Sequence, residues 1–240
     1  MFFVFCSLKI AATAAQVKTQ RLKLSVSGGK YQVGAILMVP EDASALMVLG
    51  HGAGAGMEHH FMARLSENLA ARGIGSLRFN FPYIEQGRRT PTSPLVAQAT
   101  IRAAVDKARA GIPHKLLLAG GKSYGGRMTS QAQAMEPLPG VAGLVFFGFP
   151  LHAPGRPGDS RGAHLTEIDL PMLFLQGSRD KLADLTLLSP LVDSLGRNAT
   201  LKILEGADHS FNMLRSAAKS TAQMQVELAK ITSDWAHDLA

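Results

Sequence analysis

The amino-acid sequence predicts an α/β protein with a mostly parallel central sheet and helices on both faces of that sheet. Short apolar segments alternate with longer segments of helical periodicity along most of the chain. Some of the short segments, such as residues 46–49, are apolar throughout, as expected of strands covered on both faces. Hydrophobic residues make up 46% of the 240 residues, and no shift in composition divides the chain, so one large domain is expected.

An N-terminal antiparallel hairpin is expected to precede the alternating part of the chain. It is predicted from two segments of alternating polarity, residues 21–26 and 32–39, which flank Gly28 and Gly29. The strands expected after it are residues 46–49, 75–81, 115–119, 141–147, 172–175 and 199–204. The expected helices are residues 61–71, 93–110, 124–135, 182–195 and 215–239. Since helical crossovers join parallel strands, this order predicts a mostly parallel sheet.

Residues 1–16 are predicted to be an extension that precedes a single domain of residues 17–240. Residues 1–15 begin with an apolar run, but a basic start is missing and Lys9 interrupts the apolar part. The segment is therefore either a weak signal peptide, which implies export, or a disordered extension of a cytoplasmic protein. We expect a cytoplasmic protein, because Cys6 is the only cysteine and disulfides within the chain are impossible.

Composition and motifs argue against several kinds of ligand. The formal net charge is +7, but Lys and Arg are scattered, and no basic run with interleaved aromatic residues predicts nucleic-acid binding. A phosphate loop ending at Gly121 would need glycine where Leu116 stands, and a dinucleotide loop would need glycine at Met57. Residues 58–60 read Glu-His-His, but such neighbours cannot share one helix face around a metal. No apolar run approaches the length of a membrane span. We therefore expect no metal, no cofactor, no nucleic-acid partner and no membrane partner.

The sequence around Ser123 has the pattern of a tight turn between a strand and a helix. Residues 121–125 read Gly-Lys-Ser-Tyr-Gly and come directly after an apolar segment that ends at Ala119. Glycine is expected on both sides because a side chain there would collide with the neighbouring strand or helix. The strained turn lifts the serine oxygen above the sheet edge, where a base can reach it. Ser123 is therefore the candidate nucleophile.

A candidate acid and a candidate base each follow a later strand. Asp180 and His209 come shortly after predicted strands, and ligands of parallel sheets bind at the carboxyl ends of the strands. An imidazole activates a serine hydroxyl, and a carboxylate fixes the tautomer of that imidazole. The order Ser123, Asp180, His209 therefore predicts a catalytic triad. Asp184 and Asp208 are alternative acids, and Asp180 can equally be a helix N-cap.

The loop after the strand 46–49 is the candidate source of a backbone donor. Residues 51–56 read His-Gly-Ala-Gly-Ala-Gly, and the glycines let the loop pass close to a substrate. Acyl transfer needs two donors aimed at the developing oxyanion. We expect them to be the N–H groups of Ala53 and of Tyr124, the residue after the nucleophile. His51 is a further candidate for contact with the substrate.

Basic residues in two loops at the same sheet edge are additional candidates for substrate binding. Arg88 and Arg89 follow the strand 75–81, and His152 lies in a later loop. A guanidinium group can hold a carboxylate or a phosphate, but these side chains can equally be solvated or paired with acidic residues of their own loops. No insertion is long enough for a large lid. The expected ligand is therefore a small-molecule acyl substrate.

Six stretches carry a resemblance to a known superfamily: residues 51–56, 78–89, 120–127, 148–152, 175–180 and 206–211. Among them are His-Gly-Ala-Gly-Ala-Gly, Gly-Gly-Lys-Ser-Tyr-Gly-Gly-Arg and Gly-Ala-Asp-His-Ser-Phe. They resemble the α/β-hydrolase superfamily in its dienelactone-hydrolase-like branch. Within it, the chain is most similar to bacterial predicted hydrolases related to an animal testis-expressed protein and to a subunit of a chromatin acetyltransferase complex.

The resemblance implies an α/β-hydrolase fold and a serine hydrolase that acts on ester-type substrates, as a carboxylesterase does. Dienelactone hydrolases proper use a cysteine nucleophile, whereas Ser123 takes that place here, so their lactone substrate is not carried over. The alternative is a non-catalytic interaction module with the same fold, as the resemblance to a chromatin-complex subunit allows.

Overall fold

The computed structural model describes residues 16–91, 93–111 and 115–239. In this part of the chain the strands are β1 (Val17–Val26), β2 (Tyr31–Pro40), β3 (Ala45–Gly50), β4 (Ile74–Phe79), β5 (Leu116–Lys122), β6 (Val141–Phe147), β7 (Met172–Gly177) and β8 (Ala199–Leu204). They form one sheet in the order β1-β2-β4-β3-β5-β6-β7-β8. Strand β2 pairs antiparallel with β1 and β4, and all other neighbouring strands are parallel. The predicted fold class is confirmed.

Helices cover both faces of the sheet, as the sequence predicts. They are α1 (His60–Ala70), α2 (Pro82–Glu85), α3 (Pro94–Gly111), α4 (Tyr124–Met135), α5 (Leu185–Ser194) and α6 (Thr221–His237). In β3, Leu46 and Val48 belong to the core with α3, α4 and α5, and Met47 and Leu49 belong to the core with α1 and α6. Because successive side chains of a strand point to opposite faces, a strand between two cores must be apolar at every position.

Some observed bounds differ from the predicted ones for local reasons. Helix α5 begins at Leu185 rather than at residue 182, because the Asp184 side chain caps it by accepting from the Thr186 amide. Helix α6 begins at Thr221 rather than at residue 215. There the Ser220 hydroxyl accepts from the Gln223 amide, and the Gln223 side chain accepts from the Ser220 amide, which is a capping box.

Within residues 16–91, 93–111 and 115–239, the loops at the carboxyl edge of the sheet include no large lid. The connection from β6 to β7 holds a short 3₁₀ helix, Ser160–Glu167, which packs against α4. Among the described residues, no helix combines the length and the apolar character needed to cross a bilayer. The prediction of an N-terminal extension or weak signal peptide falls on residues 1–15, which lie outside the described residues.

Candidate active site

Ser123 occupies a strained turn between β5 and α4. Strand β5 ends at Lys122 and helix α4 begins at Tyr124, so the turn consists of Ser123 alone. Its backbone has φ 51° and ψ −112°, and a positive φ is unfavourable for a residue with a side chain. The Ser123 amide donates to the Phe147 carbonyl at 3.1 Å, which helps to hold the turn. The predicted strand–turn–helix around Ser123 is present.

The glycines beside Ser123 are required by close backbone contacts. A Cβ at Gly121 or at Gly125 would lie 2.3 Å from the carbonyl oxygen of Gly50 at the end of β3. A Cβ at Gly120 would lie 1.9 Å from the carbonyl oxygen of Val145 on β6. These distances are far below van der Waals contact, and the atoms met are backbone atoms that cannot rotate away. The expectation that side chains at the flanking positions would collide is confirmed.

Ser123, His209 and Asp180 form a continuous chain of hydrogen bonds. The Nε2 atom of His209 lies 2.8 Å from the Ser123 Oγ, and the Nδ1 atom lies 2.7 Å from the Asp180 Oδ2. With the proton on Nδ1 donated to the carboxylate, Nε2 is free to accept the hydroxyl proton of the serine. The structure therefore brings together the three residues that the sequence order predicts.

The Asp180 carboxylate is buried and held by groups other than His209. Its Oδ2 also accepts from the Gln176 side-chain amide at 2.5 Å, and its Oδ1 accepts from the Leu182 amide at 2.8 Å. The Asp180 side chain is fully buried, whereas the His209 side chain is one quarter exposed. Gln176 was not assigned a role from sequence, since an amide on a strand carries no signal that it faces a carboxylate four residues later.

The two alternative acids are engaged elsewhere. Asp184 accepts from the backbone and the hydroxyl of Thr186 at the start of α5. Asp208 accepts from the amides of Ser210 and Asn212, and so closes the turn that carries His209. Neither carboxylate bonds to the imidazole, which leaves Asp180 as its partner.

Backbone contacts between the loops after β7 and β8 set the distance from Asp180 to His209. The amides of Ser178 and Arg179 donate to the carbonyls of Leu204 and Ala207 at 3.1 and 2.9 Å. A Cβ at Gly177 would lie 2.4 Å from the Ala207 oxygen, so the two loops approach as closely as glycine permits. This contact positions the carboxylate and the imidazole on neighbouring strand ends.

A cavity of about 410 Å³ opens over the serine. It is lined by Gly52 and Ala53 from the loop after β3, by Ser123 and His209, and by apolar side chains that include Met62 and Leu182. The Tyr124 N–H belongs to the first turn of α4, and the first N–H groups of a helix have no acceptor within that helix. Ala53 lines the cavity and Tyr124 directly follows Ser123, and the role of their N–H groups as oxyanion donors stays a prediction.

Backbone groups occupy both ring nitrogens of His51. Its Nδ1 bonds to the Gly52 carbonyl at 2.8 Å, and its Nε2 accepts from the Phe81 amide at 3.2 Å. The ring is fully buried and meets the rings of Phe81 and Tyr83 edge to face. Burial lowers the pKa of His51 to about 4, so the imidazole is neutral at pH 7. The Nδ1 bond stays within the loop 51–56, whereas the Nε2 bond fixes that loop to the segment after β4, and contact of His51 with the substrate stays a prediction.

Backbone groups also occupy both ring nitrogens of His152, and its role in substrate binding stays a prediction. Its Nδ1 bonds to the Ala153 carbonyl and its Nε2 accepts from the Asp184 amide, both at 2.9 Å. The Nε2 bond fastens its loop to the residue that caps α5, whereas the Nδ1 bond stays within the loop. Arg88 and Arg89 are exposed, and neither is among the residues that line the cavity over Ser123. Their role in substrate binding stays a prediction.

A second serine–histidine contact lies away from this cavity. The Ser130 Oγ in α4 is 2.7 Å from the Nε2 of His164 in the short 3₁₀ helix, and 2.9 Å from the Arg127 carbonyl oxygen. Ser130 is fully buried inside the helix. Burial, and then the charge of Arg127, lower the pKa of His164 to about 4. Among the described residues, no carboxylate bonds to His164, so this pair lacks the third member of a triad.

The fold and the position of the serine turn define an α/β hydrolase. The chain belongs to the alpha/beta hydrolase domain family, whose family model matches residues 43–237. Strand β3, the serine turn, and the loops that carry Asp180 and His209 all lie within the matched region.

Solved structures with the same fold share little sequence with this chain. The dienelactone hydrolase from Anabaena variabilis ATCC 29413 is 20% identical, with 92% of this chain and 98% of that chain covered and a TM-score of 0.70. XC6422 from Xanthomonas campestris, an α/β serine hydrolase without a lid, is 20% identical, with 91% and 95% covered and a TM-score of 0.70. A cold-adapted esterase from an Arctic intertidal metagenomic library is 19% identical, with 91% and 94% covered and a TM-score of 0.66. At these identities the likeness is one of fold.

Proposed function

We propose that this protein is a serine hydrolase that cleaves the ester bond of small acyl substrates, as a carboxylesterase does. The observation that carries the proposal is the unbroken hydrogen-bonded chain from the Ser123 Oγ through His209 to the buried Asp180 carboxylate. The positive φ of Ser123 supports it, because such strain is concentrated at functional sites. The names of the structural neighbours, a dienelactone hydrolase, a serine hydrolase and an esterase, support the same reaction class.

In the proposed reaction Ser123 forms and then loses an ester bond with the acyl group. The Oγ atom attacks the carbonyl carbon while its proton passes to the His209 Nε2, and Asp180 stabilises the imidazolium that results. The N–H groups of Ala53 and Tyr124 hold the negative oxygen of the tetrahedral intermediate. The leaving alcohol takes the proton from His209. A water molecule then attacks the acyl-enzyme with His209 as base, which releases the carboxylic acid and restores the serine.

A fluorophosphonate probe tests the proposal, because it phosphonylates serines that a neighbouring imidazole activates. We expect the wild type to be labelled and Ser123→Ala to be unlabelled, with Ser130→Ala as a control that keeps the labelling. Hydrolysis of a panel of p-nitrophenyl esters should follow the same pattern. Absence of labelling in a correctly folded wild type would contradict the proposal and favour the non-catalytic interaction module.

Kinship with the bacterial relatives of the testis-expressed protein stays a prediction from sequence motifs.

A further inference from the structure

The start of helix α1 forms one wall of the cavity over Ser123 and carries two histidines that the proposed reaction does not use. His59 and His60 line this cavity together with Ser123 and His209. Its volume of about 410 Å³ is near the lower end of the range for small-molecule sites, which is about 300–1,000 Å³. A ligand that fills the cavity and reaches the serine hydroxyl therefore also contacts the wall that carries the two histidines.

The ring of His59 is held in one orientation by its own helix and by its neighbour. Its Nδ1 accepts from the Phe61 amide at 3.3 Å and so caps α1, and the His60 ring lies against it with the centroids 4.2 Å apart. Burial, followed by the charges of His60 and Lys122, lowers the pKa of His59, so the imidazole is mostly neutral at pH 7. Because Nδ1 is the acceptor, the proton of the neutral ring is on Nε2.

The Nε2–H group of His59 is a donor in the wall of the cavity. In the part of the chain that the structure describes, the bond that Nδ1 accepts is the only hydrogen bond of the His59 side chain. The residue is exposed, and it lines the same cavity as the nucleophile. A donor of fixed orientation beside a reacting group is suited to orient an acceptor of the substrate, as polar groups in ligand pockets do.

The walls of this cavity offer a cationic side chain and no carboxylate. None of the described residues that line it is Asp or Glu, whereas Lys122 is among them. The carboxylates nearby are engaged elsewhere: Glu58 pairs with Arg21 on β1, Asp208 closes the turn after β8, and the Asp180 side chain is fully buried behind the imidazole. The first turn of α1 also contains no acidic residue to offset the positive end of the helix dipole. Such a cleft concentrates ligands of negative charge.

We propose that His59 is a substrate-binding residue that selects esters carrying an anionic group, a carboxylate or a phosphate, by donating a hydrogen bond from Nε2 to that group. The inference rests on the proposed function, since it names the substrate class of the same site. A hydrogen bond to an ionised acceptor is roughly twice as strong as one between neutral groups. The contact therefore discriminates between a charged ester and a neutral ester of the same shape.

Matched pairs of esters test the preference and locate the anionic group. Mono-4-nitrophenyl adipate and 4-nitrophenyl hexanoate differ by a carboxylate at the end of the acyl chain. The compounds 4-acetoxybenzoate and methyl 4-acetoxybenzoate differ by a carboxylate on the leaving alcohol, and 4-acetoxyphenyl phosphate carries a phosphate there instead. We expect the wild type to show a lower KM for at least one of the three anionic esters than for its neutral partner, and that ester identifies the group recognised.

Two substitutions at His59 separate the donor from the helix cap. Asparagine places a side-chain oxygen where Nδ1 lies, so His59→Asn keeps the cap of α1 and removes the donor at Nε2. Glutamine places its amide nitrogen near the position of Nε2, so His59→Gln keeps a donor and loses the cap. His59→Asn should raise KM for the preferred anionic ester ~10-fold and leave KM for the neutral partner and kcat unchanged. His59→Gln should retain most of the preference but lower the urea midpoint.

His237→Asn is the matched control for the loss of an imidazole. His237 is exposed at the end of α6 and lies near the amino ends of β3, β4 and β5, at the edge of the sheet opposite Ser123. Its substitution should leave KM for every ester unchanged.

The outcomes separate the His59 proposal from the proposed function. A wild type without preference for any anionic ester, or a His59→Asn variant in which KM is unchanged or rises equally for charged and neutral esters, would overturn the role of His59 and leave the serine hydrolase intact. A folded wild type that reacts with no fluorophosphonate would overturn the hydrolase itself, and the His59 proposal with it.

Discussion

The described part of the chain contains two serine–histidine contacts of almost equal length, and their surroundings differ in every respect that matters for catalysis. The Ser123 Oγ lies 2.8 Å from His209, and the Ser130 Oγ lies 2.7 Å from His164. Ser123 occupies a strained turn at the edge of a cavity, and its histidine is backed by a buried carboxylate. Ser130 is buried inside α4, and the charge that acts on the pKa of its histidine is the guanidinium of Arg127.

The comparison shows that a short serine–histidine distance does not make a nucleophile. The base must gain a proton during the reaction, and a carboxylate on the far side of the ring favours that step. Beside Arg127, burial and like charge instead keep His164 neutral, so the ring serves as a fixed hydrogen-bonding partner. The Ser130 hydroxyl has its own acceptor in the Arg127 carbonyl and no route to a substrate.

The largest expected effect separates the two serines directly. Ser123→Ala should reduce kcat/KM on p-nitrophenyl esters by ~10⁵-fold, because the group that forms the acyl-enzyme is removed. Ser130→Ala should change kcat/KM by less than about threefold, and should lower the free energy of unfolding by about 1 kcal/mol through the lost buried hydrogen bond. Steady-state kinetics and urea unfolding measure the two quantities. Equal losses of activity in both variants would contradict the assignment.

The carboxylate behind His209 comes next in expected size. Asp180→Asn should lower kcat by ~10⁴-fold, because the amide no longer fixes the tautomer or stabilises the imidazolium. Asp184→Asn is the matched control, since asparagine caps α5 as well as aspartate does and Asp184 does not touch the imidazole. A pre-steady-state burst assay shows whether acylation is the step affected. Wild-type rates in Asp180→Asn would assign the acid to another residue.

The crowded backbone around Ser123 also distinguishes this serine from Ser130, which lies within helix α4. Gly121→Ala should lower the free energy of unfolding by ~3 kcal/mol, because the new Cβ meets the Gly50 carbonyl at 2.3 Å. Gly28→Ala in the N-terminal hairpin is the control, because its φ is also positive but no atom lies within 4 Å of a Cβ there. That change should cost ~1 kcal/mol from backbone strain alone. Urea unfolding at pH 7 compares the two variants. Similar losses in the free energy of unfolding would mean that the backbone around Ser123 can shift to accept the new Cβ.

The sequence was sufficient to predict what depends on local pattern. The apolar segment at residues 46–49 indicated a strand covered on both faces, and Gly121 and Gly125 indicated a turn too crowded for side chains. The order of Ser123, Asp180 and His209 along the chain indicated side chains that the structure brings within hydrogen-bond distance. Each of these features follows from residues close together or from the rule that strand ends share one edge.

What the sequence did not predict depends on contacts between distant residues. Asp180, Asp184 and Asp208 are equivalent as candidates until the loops after β7 and β8 are seen to meet. His51 and His152 lie near the predicted edge, but backbone amides far along the chain occupy their Nε2 atoms. The burial of a side chain and the direction of a ring nitrogen are tertiary properties, so neither is encoded in a local pattern.

The smallest expected effect is on the pH dependence of stability. It separates His164, whose protonation changes the free energy of unfolding, from His209, which takes part in the proposed reaction. In the folded protein the pKa of His164 is lowered from 6.5 to about 4 by burial and by Arg127. The unfolded chain therefore binds a proton at His164 between these pH values while the folded chain does not. The resulting stability is present above pH 6.5 and is lost as the pH falls toward 4. The buried His51, with its pKa also lowered to about 4, contributes in the same direction.

The substitution His164→Gln tests whether His164 affects the pH dependence of stability without affecting activity. As the pH falls from 6.5 to 4, the urea midpoint of the wild type should decrease, and that of the variant should decrease less because one of the rings with a lowered pKa is gone. The acid limb of kcat/KM should be the same in both proteins, since His164 takes no part in the proposed reaction. If the substitution moved the acid limb and left the pH dependence of stability unchanged, the roles assigned to the two pairs would be reversed. His164 would then be the histidine that governs activity, and not the one that governs stability at acidic pH.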